Sequence, residues 1–342
     1  MSSPYAKDQP QGFSNHIKKV AIVGAGGNIG SHIVEQLVKG GKHVVTAISR
    51  PGSTNKLPEA VYVLRVDYSG DDISALVDAL RGQHALIITM AVSAPKDTMS
   101  KLIRAAAAAG VPYILPNWFG HDAANDALCR DSFLTQMRDS VRSEVHSLGV
   151  SSPLFLVCNF WYEFSLGGGP DRFGFDFQNR SLVYFDGGNV VINTSSWPQC
   201  GRAVAGLLGL KKLPDDEKDT SPTISQFVDD GGLVYVSSFR LSQRDMFESV
   251  KRVTETTDAD WTITHESSEQ RWRDGTAEVL RGNFGAFTKM LYSRMFFPNG
   301  DGDYESRRAL HNDVLGLPVE DLDLVTSIAV RMGENGEVAQ GH

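Results

Sequence analysis

Residues 21–32 read AIVGAGGNIGSH, which sets Gly24, Gly27 and Gly30 three apart. Between an apolar run and a helical repeat, three glycines at this spacing have a specific use. The first lets the chain leave a strand in a sharp turn. The second lets backbone approach a diphosphate with no side chain between them, and the third lets the next helix pack close to the sheet. The amides of Asn28, Ile29 and Gly30 then face the anion with the helix dipole behind them. The chemistry this spacing serves is grip on a dinucleotide.

A second signal stands about 20 residues on, at the end of the next predicted strand, where an acidic side chain would hold the ribose 2′-hydroxyl of NAD. Here the chain has Ser49 and Arg50, with no acidic residue over 43–52. A guanidinium suits the 2′-phosphate of NADP by bidentate pairing. Asp67, at the end of the third predicted strand, either touches the adenine ring or caps the next helix.

Candidates for proton transfer are fewer. His121 follows the fifth predicted strand, where a solvated ring titrates near neutrality; the other reading is a loop histidine bonded to Asp122. Tyr162 lies in an aromatic run, FWYEF, and is either an acid or a packing residue. His146 falls on a helix face expected to be solvated. A tyrosine followed four residues later by lysine is missing, since Leu166 stands four after Tyr162. Cys129, Cys158 and Cys200 are far apart and odd in number, so neither a metal site nor a disulfide framework is read from them.

The elements that must position these residues alternate. Strands are predicted over 20–23, 43–48, 61–66, 85–89, 113–115 and 154–157. Helices are predicted over 30–39, 71–80, 98–109 and 132–148. That order implies an α/β fold with a Rossmann-type doubly wound parallel sheet. Beyond residue 159 the regularity breaks into short strands and loops. Ser196 is placed to cap a helix over 198–210, residues 211–222 read as a charged surface loop, and Ser242 with Asp245 forms a capping box for a helix over 243–255. The expected organisation is a disordered lead-in (1–16), a dinucleotide-binding domain (17–158) and a smaller α+β substrate domain (159–342). About 190–210 of the last part is expected to return to the main sheet.

Bulk properties narrow the setting. The 342 residues carry a net charge of −8, with no basic run suited to nucleic acid. No apolar stretch is long enough for a membrane span, and the first 16 residues lack the apolar core of a signal peptide. A cytoplasmic protein is expected, with a small-molecule substrate, no nucleic-acid or membrane partner, and an oligomeric state that the sequence leaves open.

Taken together, VGAGGNIG (23–30), SRP (49–51), VDYSG (66–70), LPNWFGHD (115–122), NFWYEFSL (159–166), NTSSWPQCGRAVAGLL (193–208) and VLGLPVEDLDLVT (314–326) resemble the NmrA-like, isoflavone-reductase-like branch of the atypical short-chain dehydrogenases. The resemblance is nearest to the fungal CipA-like oxidoreductases. It implies NADPH bound across the carboxyl edge of the sheet and reduction of a small aromatic or polyketide-like metabolite in fungal secondary metabolism. It also implies that Thr89 and Met90 lie near the cofactor ribose, that Asn117 lies beside the nicotinamide, and that Asn159 and Phe160 wall that ring. Trp118, Phe119, Trp161 and Glu163 are expected to face substrate. Two positions depart from the family. Its usual lysine on the long helix is matched by Arg138, a poor proton donor, and Trp118 stands where an acidic residue is common. Hydride transfer is therefore weighed against a redox-neutral cyclase, dehydratase or isomerase on the same fold, and against a non-enzymatic NADP(H) sensor.

Overall fold

The computed structural model describes residues 5–91 and 94–340. Its centre is a parallel sheet built from β1 (Lys19–Val23), β2 (Val44–Ser49), β3 (Tyr62–Arg65), β4 (Ala85–Ile88) and β5 (Tyr113–Leu115). After the short β6 (Phe119–Gly120), the strands β7 (Ser152–Pro153) and β8 (Phe155–Val157) follow almost without a break. The order β3-β2-β1-β4-β5-β7 reverses direction at β1, the switch point at which doubly wound sheets open a crevice for ligands.

Alternation along the strands explains why both faces are covered. Val20 and Ile22 enter one core while Ala21 and Val23 enter the other. Ala85 and Ile87 divide from Leu86 and Ile88 in the same way. A strand with apolar side chains on both faces must be sandwiched between helices. On the first face lies α1 (Asn28–Gly40), whose Ile29, Ile33, Val34 and Leu37 recur at helical spacing. On the second lie α2 (Ser74–Leu80), α3 (Thr98–Ala108) and, beyond α4 (Asp126–Asp131), α5 (Thr135–Leu148).

The helix predicted over 132–148 is α5, which begins three residues later at Thr135; Phe133, whose φ of 61° is left-handed, separates it from α4, a helix the sequence reading did not include. No glycine or proline marks that break in the sequence, so periodicity ran through it.

After β9 (Phe160–Trp161) and α6 (Tyr162–Leu166), the chain builds an aromatic core of its own. The strands there are β10 (Phe175–Asp176), β11 (Ser181–Phe185) and β12 (Ile192–Ser195). The next helix, α7 (Trp197–Leu208), leaves that unit and packs Cys200, Ala203, Val204 and Leu207 into the first core beside α1. It is capped by the Ser196 side chain, as expected. Residues 190–210 thus return to the main domain as a helix, while β12 pairs with β9 in a small sheet. Among the described residues no strand from this part joins the six-stranded sheet: β13 (Leu233–Tyr235), reached through α8 (Ile224–Asp229), pairs with β8 in a separate three-stranded sheet with β6. Then come β14 (Phe239–Leu241), α9 (Gln243–Thr254) opened by the Ser242–Asp245 box, and β15 (Thr262–Glu266). The helices α10 (Ser268–Leu280), α11 (Phe287–Met295) and α12 (Leu322–Glu334) complete the chain's second half.

The expected disordered lead-in is corrected for residues 5–16; residues 1–4 lie outside the described residues. Ala6 and Lys7 donate backbone bonds to Pro214 and Asp215, Asn15 exchanges two bonds with Leu213, and Ile17 is buried. The polar composition of this arm hides its role, because its partners are backbone groups of the 211–219 loop. Among the described residues no helix is long and apolar enough to cross a membrane.

Candidate functional site

The glycine turn is closed from behind by Thr89. Gly24 has φ 83°, and a Cβ placed there would lie 1.7 Å from the Thr89 carbonyl oxygen. A Cβ on Gly30 would lie 2.1 Å from the Gly24 carbonyl oxygen and 2.8 Å from Thr89 Oγ1. Only glycine allows strand, helix and β4 to meet so closely. Gly27 differs: it is the N-cap of α1 with φ −81°, and its nearest neighbour would be 3.3 Å away. Its bare Cα leaves the first-turn amides of Asn28, Ile29 and Gly30 open to an anion. The cradle suits a diphosphate.

Beyond β2 the segment 50–55 folds over the turn. It lines a cavity of about 380 Å³ formed by Arg50, Pro51, Gly52, Ser53, Thr54 and Asn55. Asn55 lies against Gly26, where a Cβ would be 2.5 Å from its side chain. Arg65, which sequence reasoning passed over, holds this segment by donating to the Ser53 carbonyl at 2.9 Å. Ser49 ends β2 half-buried, and Arg50 is exposed at the mouth of the cavity. Asp67 caps no helix: its Oδ1 accepts from the backbone and side chain of Ser69, which holds its carboxyl below the usual range.

At the other half of the sheet edge, Asn117 clasps Met90 twice, accepting from its amide and donating to its carbonyl, each at 3.1 Å. This fixes the ends of β4 and β5 relative to each other. Thr89 donates its hydroxyl to Val23. Asn159 is buried with φ 53°, a left-handed conformation asparagine tolerates. Its Nδ2 donates to Asn193 at 2.7 Å, while Oδ1 has no partner among the described protein atoms. Phe160 stacks on Tyr292, centroids 3.8 Å apart. The structure thus brings Thr89, Met90, Asn117, Asn159 and Phe160 to one edge.

Several expected site residues are placed otherwise. His121 is 4 % exposed, its Nε2 bonded to Ser132 Oγ at 3.0 Å, and burial pushes its pKa down to about 4. It is a neutral core histidine at pH 7, not a solvated acid, and its neighbour Asp122 is engaged by Tyr235 and Arg308. Tyr162 is fully buried, bonded to Thr326 at 2.8 Å, and burial raises its pKa well above the usual phenol value. Arg138 is held by Asp126 and Asp139, both at 2.7 Å, and by the Ala123 carbonyl, so it locks α4 to α5. Trp118 is buried against Phe155 with its indole donating to the His121 carbonyl, which removes it from a substrate wall. Phe119 is half-buried against the first core. His146 is exposed, as expected.

An aromatic wall does form, from partners not all foreseen. The half-exposed rings of Trp161, Phe164 and Trp197 make a triangle with centroids 5.7 to 6.0 Å apart. His32 stacks on Trp197 at 5.8 Å. Glu163 is buried within this cluster, accepting from the Trp197 amide at 2.9 Å. The sequence reading assigned no role to His32 or Trp197.

Comparison with known proteins agrees with this geometry. Residues 24–128 match a family described as NAD(P)H-binding. The oxidoreductase aprR of Aspergillus flavus is 27% identical over 315 residues, covering 90% of this chain and 97% of that protein. A structure of pinoresinol-lariciresinol and phenylcoumaran benzylic ether reductases, described with their relationship to isoflavone reductases, superposes with a TM-score of 0.67 at 18% identity, covering 91% of this chain and 99% of the other. The triphenylmethane reductase of Citrobacter sp., solved with NADP(H), superposes with a TM-score of 0.62 at 15% identity, covering 91% and 99%. The fold and the cradle define an NAD(P)H-binding protein of the doubly wound class. Over nearly its whole length the chain shares its fold with the reductases related to isoflavone reductases, and it is similar in sequence to a fungal oxidoreductase.

Proposed function

We propose that this chain is an NADPH-dependent oxidoreductase that reduces a small, flat aromatic or polyketide-like acceptor by hydride transfer. The observation that carries the reading is the pairing of the two halves of the sheet edge. One half is a glycine cradle into which no side chain fits; the other is a row of half-exposed aromatic faces. Bound NADPH would supply the hydride. In this reading the amides of Asn28, Ile29 and Gly30 hold the diphosphate, and Arg50 at the mouth of the Arg50–Asn55 cavity pairs with the 2′-phosphate. Ser49 and Asp67 stand at the β2–β3 end beside Arg50, Thr89, Met90 and Asn117 line the path from the cradle to the other half, and Asn159 Oδ1 is free to accept from a donor at the nicotinamide end. Trp161, with Phe164 and Trp197 beside it, stacks on a planar substrate and excludes water, which strengthens every polar contact there. The similarity to a fungal oxidoreductase supports the redox part of the reading, and the place in fungal secondary metabolism rests on the motif resemblance.

The test is loss of NADPH absorbance on adding candidate acceptors. Consumption that follows the acceptor supports the reading. The redox-neutral alternative draws on one observation: Arg138, His121 and Tyr162 are all committed to structural bonds. Product formed with the cofactor stripped would favour it, and binding without any turnover would favour a sensor.

A further inference from the structure

His121 and Tyr162, first considered for proton transfer, are tied into the scaffold, His146 is exposed on α5, and the reduction still needs a proton. The helices α1 and α7 run side by side in the same direction, since His32 meets Gly201 near their beginnings and Gln36, Lys39, Ala205 and Gly206 meet further along. Their N-termini therefore open at the same edge as the phosphate turn. Cys200 on α7 lies beside Cys158, just after β8, and β12, which leads into α7, pairs with β9, so the N-terminus of α7 stands over the β5–β8 half of that edge. This is the half away from Arg50.

Glu163 is built into that N-terminus. It is 2 % exposed, and its Oε1 accepts the backbone N–H of Trp197, the first residue of α7, at 2.9 Å. Its Oε2 is buried with no protein partner, and so are the indole nitrogens of Trp161 and Trp197. The charged or titratable groups that bear on it are Glu320 beyond α7, Arg202 and Cys200 on α7, and Tyr162 beside it on α6. Arg202 is turned to Glu320, which also accepts from Ser196 and Ser238. Among the described residues no cation is paired with Glu163.

We propose that Glu163 is the proton donor of the reduction, a role that rests on the hydride-transfer reading above. Because Oε2 is buried in the structure, seating the acceptor on the faces of Trp161 and Trp197 turns these half-exposed rings aside, and its oxygen then meets Oε2. The acceptor carbon gains a hydride with its electron pair from NADPH, which becomes NADP⁺. Whether that carbon is the carbonyl carbon or the end of a conjugated system, the displaced electron pair comes to rest on the oxygen. That oxygen takes the proton from Oε2. Glu163 is left as a carboxylate, stabilised by the Trp197 N–H and the positive end of α7, and water restores its proton. Burial supports this by pushing the Glu163 carboxyl up to about 7, where an acid works at neutral pH.

The experiment compares wild type, Glu163→Gln and Glu163→Asp. Difference infrared spectroscopy follows the protonated-carboxyl band through a pH titration of the protein without acceptor. Fluorescence titration measures NADPH binding, and NADPH oxidation is followed against pH with menadione and chalcone as probe acceptors. Glu163→Gln should lack the band that titrates near neutrality and bind NADPH within about twofold. Its kcat should fall by about 100-fold or more with the pH limb lost, and Glu163→Asp should recover part of it. An unchanged band, or wild-type kcat with an unchanged pH profile in Glu163→Gln, overturns the donor role while leaving hydride transfer standing. A wild type that binds NADPH and consumes it with neither acceptor overturns both.

Discussion

Gly27→Asp separates the fold from the site. Gly27 is the N-cap of α1 with φ −81° and ψ 175°, extended backbone open to any residue, and it makes no side-chain cap bond. Aspartate is among the best N-cap residues, since its carboxylate accepts from first-turn amides and meets the positive end of the helix. A Cβ there would meet only the Gly24 carbonyl oxygen, at 3.3 Å. Cap bond, dipole and a less flexible unfolded chain together contribute about 1 kcal/mol, so the cofactor-free protein should melt roughly 2 °C higher. The same carboxylate sits where the diphosphate is proposed to lie. Two unit charges about 4 Å apart at an effective dielectric constant of about 20 repel by about 4 kcal/mol, roughly a thousandfold in Kd. Differential scanning calorimetry and NADPH titration read the two effects separately. A variant that keeps wild-type NADPH affinity would refute the placement of the diphosphate. One that melts well below wild type would refute the account of the turn.

Gly30→Ala has the opposite character. Its Cβ would meet the Gly24 carbonyl at 2.1 Å, so it should destabilise the fold by about 2 kcal/mol or more, measured by urea denaturation. Tyr162→Phe should cost about 1 kcal/mol by the same measurement, for the lost bond to Thr326, and leave kcat within twofold. Histidine 121 should shape the acid limb of stability. Its folded pKa of about 4 lies below the ordinary value near 6.5, so the unfolded chain binds more protons between the two. Its contribution is complete above pH 6.5 and is lost as pH falls toward 4, amounting to about 3 kcal/mol. His121→Gln should flatten that limb in melting curves taken across this range.

What the sequence disclosed follows from how local each cause is. The glycine turn, the strand–helix alternation, the Ser196 cap and the Ser242 box depend on residues within a few positions of one another, and period and spacing report them. The break at Phe133 is a local conformation with no local signal. The anchoring of residues 5–16 depends on backbone groups 200 positions away. Chemistry-bearing side chains were hardest to judge, because composition does not reveal burial. His121, Tyr162, Arg138 and Trp118 have the right types in plausible places, yet each is buried and bonded to a structural neighbour. Arg65, Asn55, His32 and Trp197 acquire their roles only where separate elements meet.

The central claim is that backbone at the glycine turn holds a dinucleotide diphosphate and Arg50 recognises its 2′-phosphate. Isothermal titration of NADPH and NADH into wild type and Arg50→Glu tests it most directly. Wild type should bind NADPH more tightly than NADH, and Arg50→Glu should weaken NADPH by about 100-fold while changing NADH little. No heat with either dinucleotide, or an equal loss for both in the variant, would contradict the account.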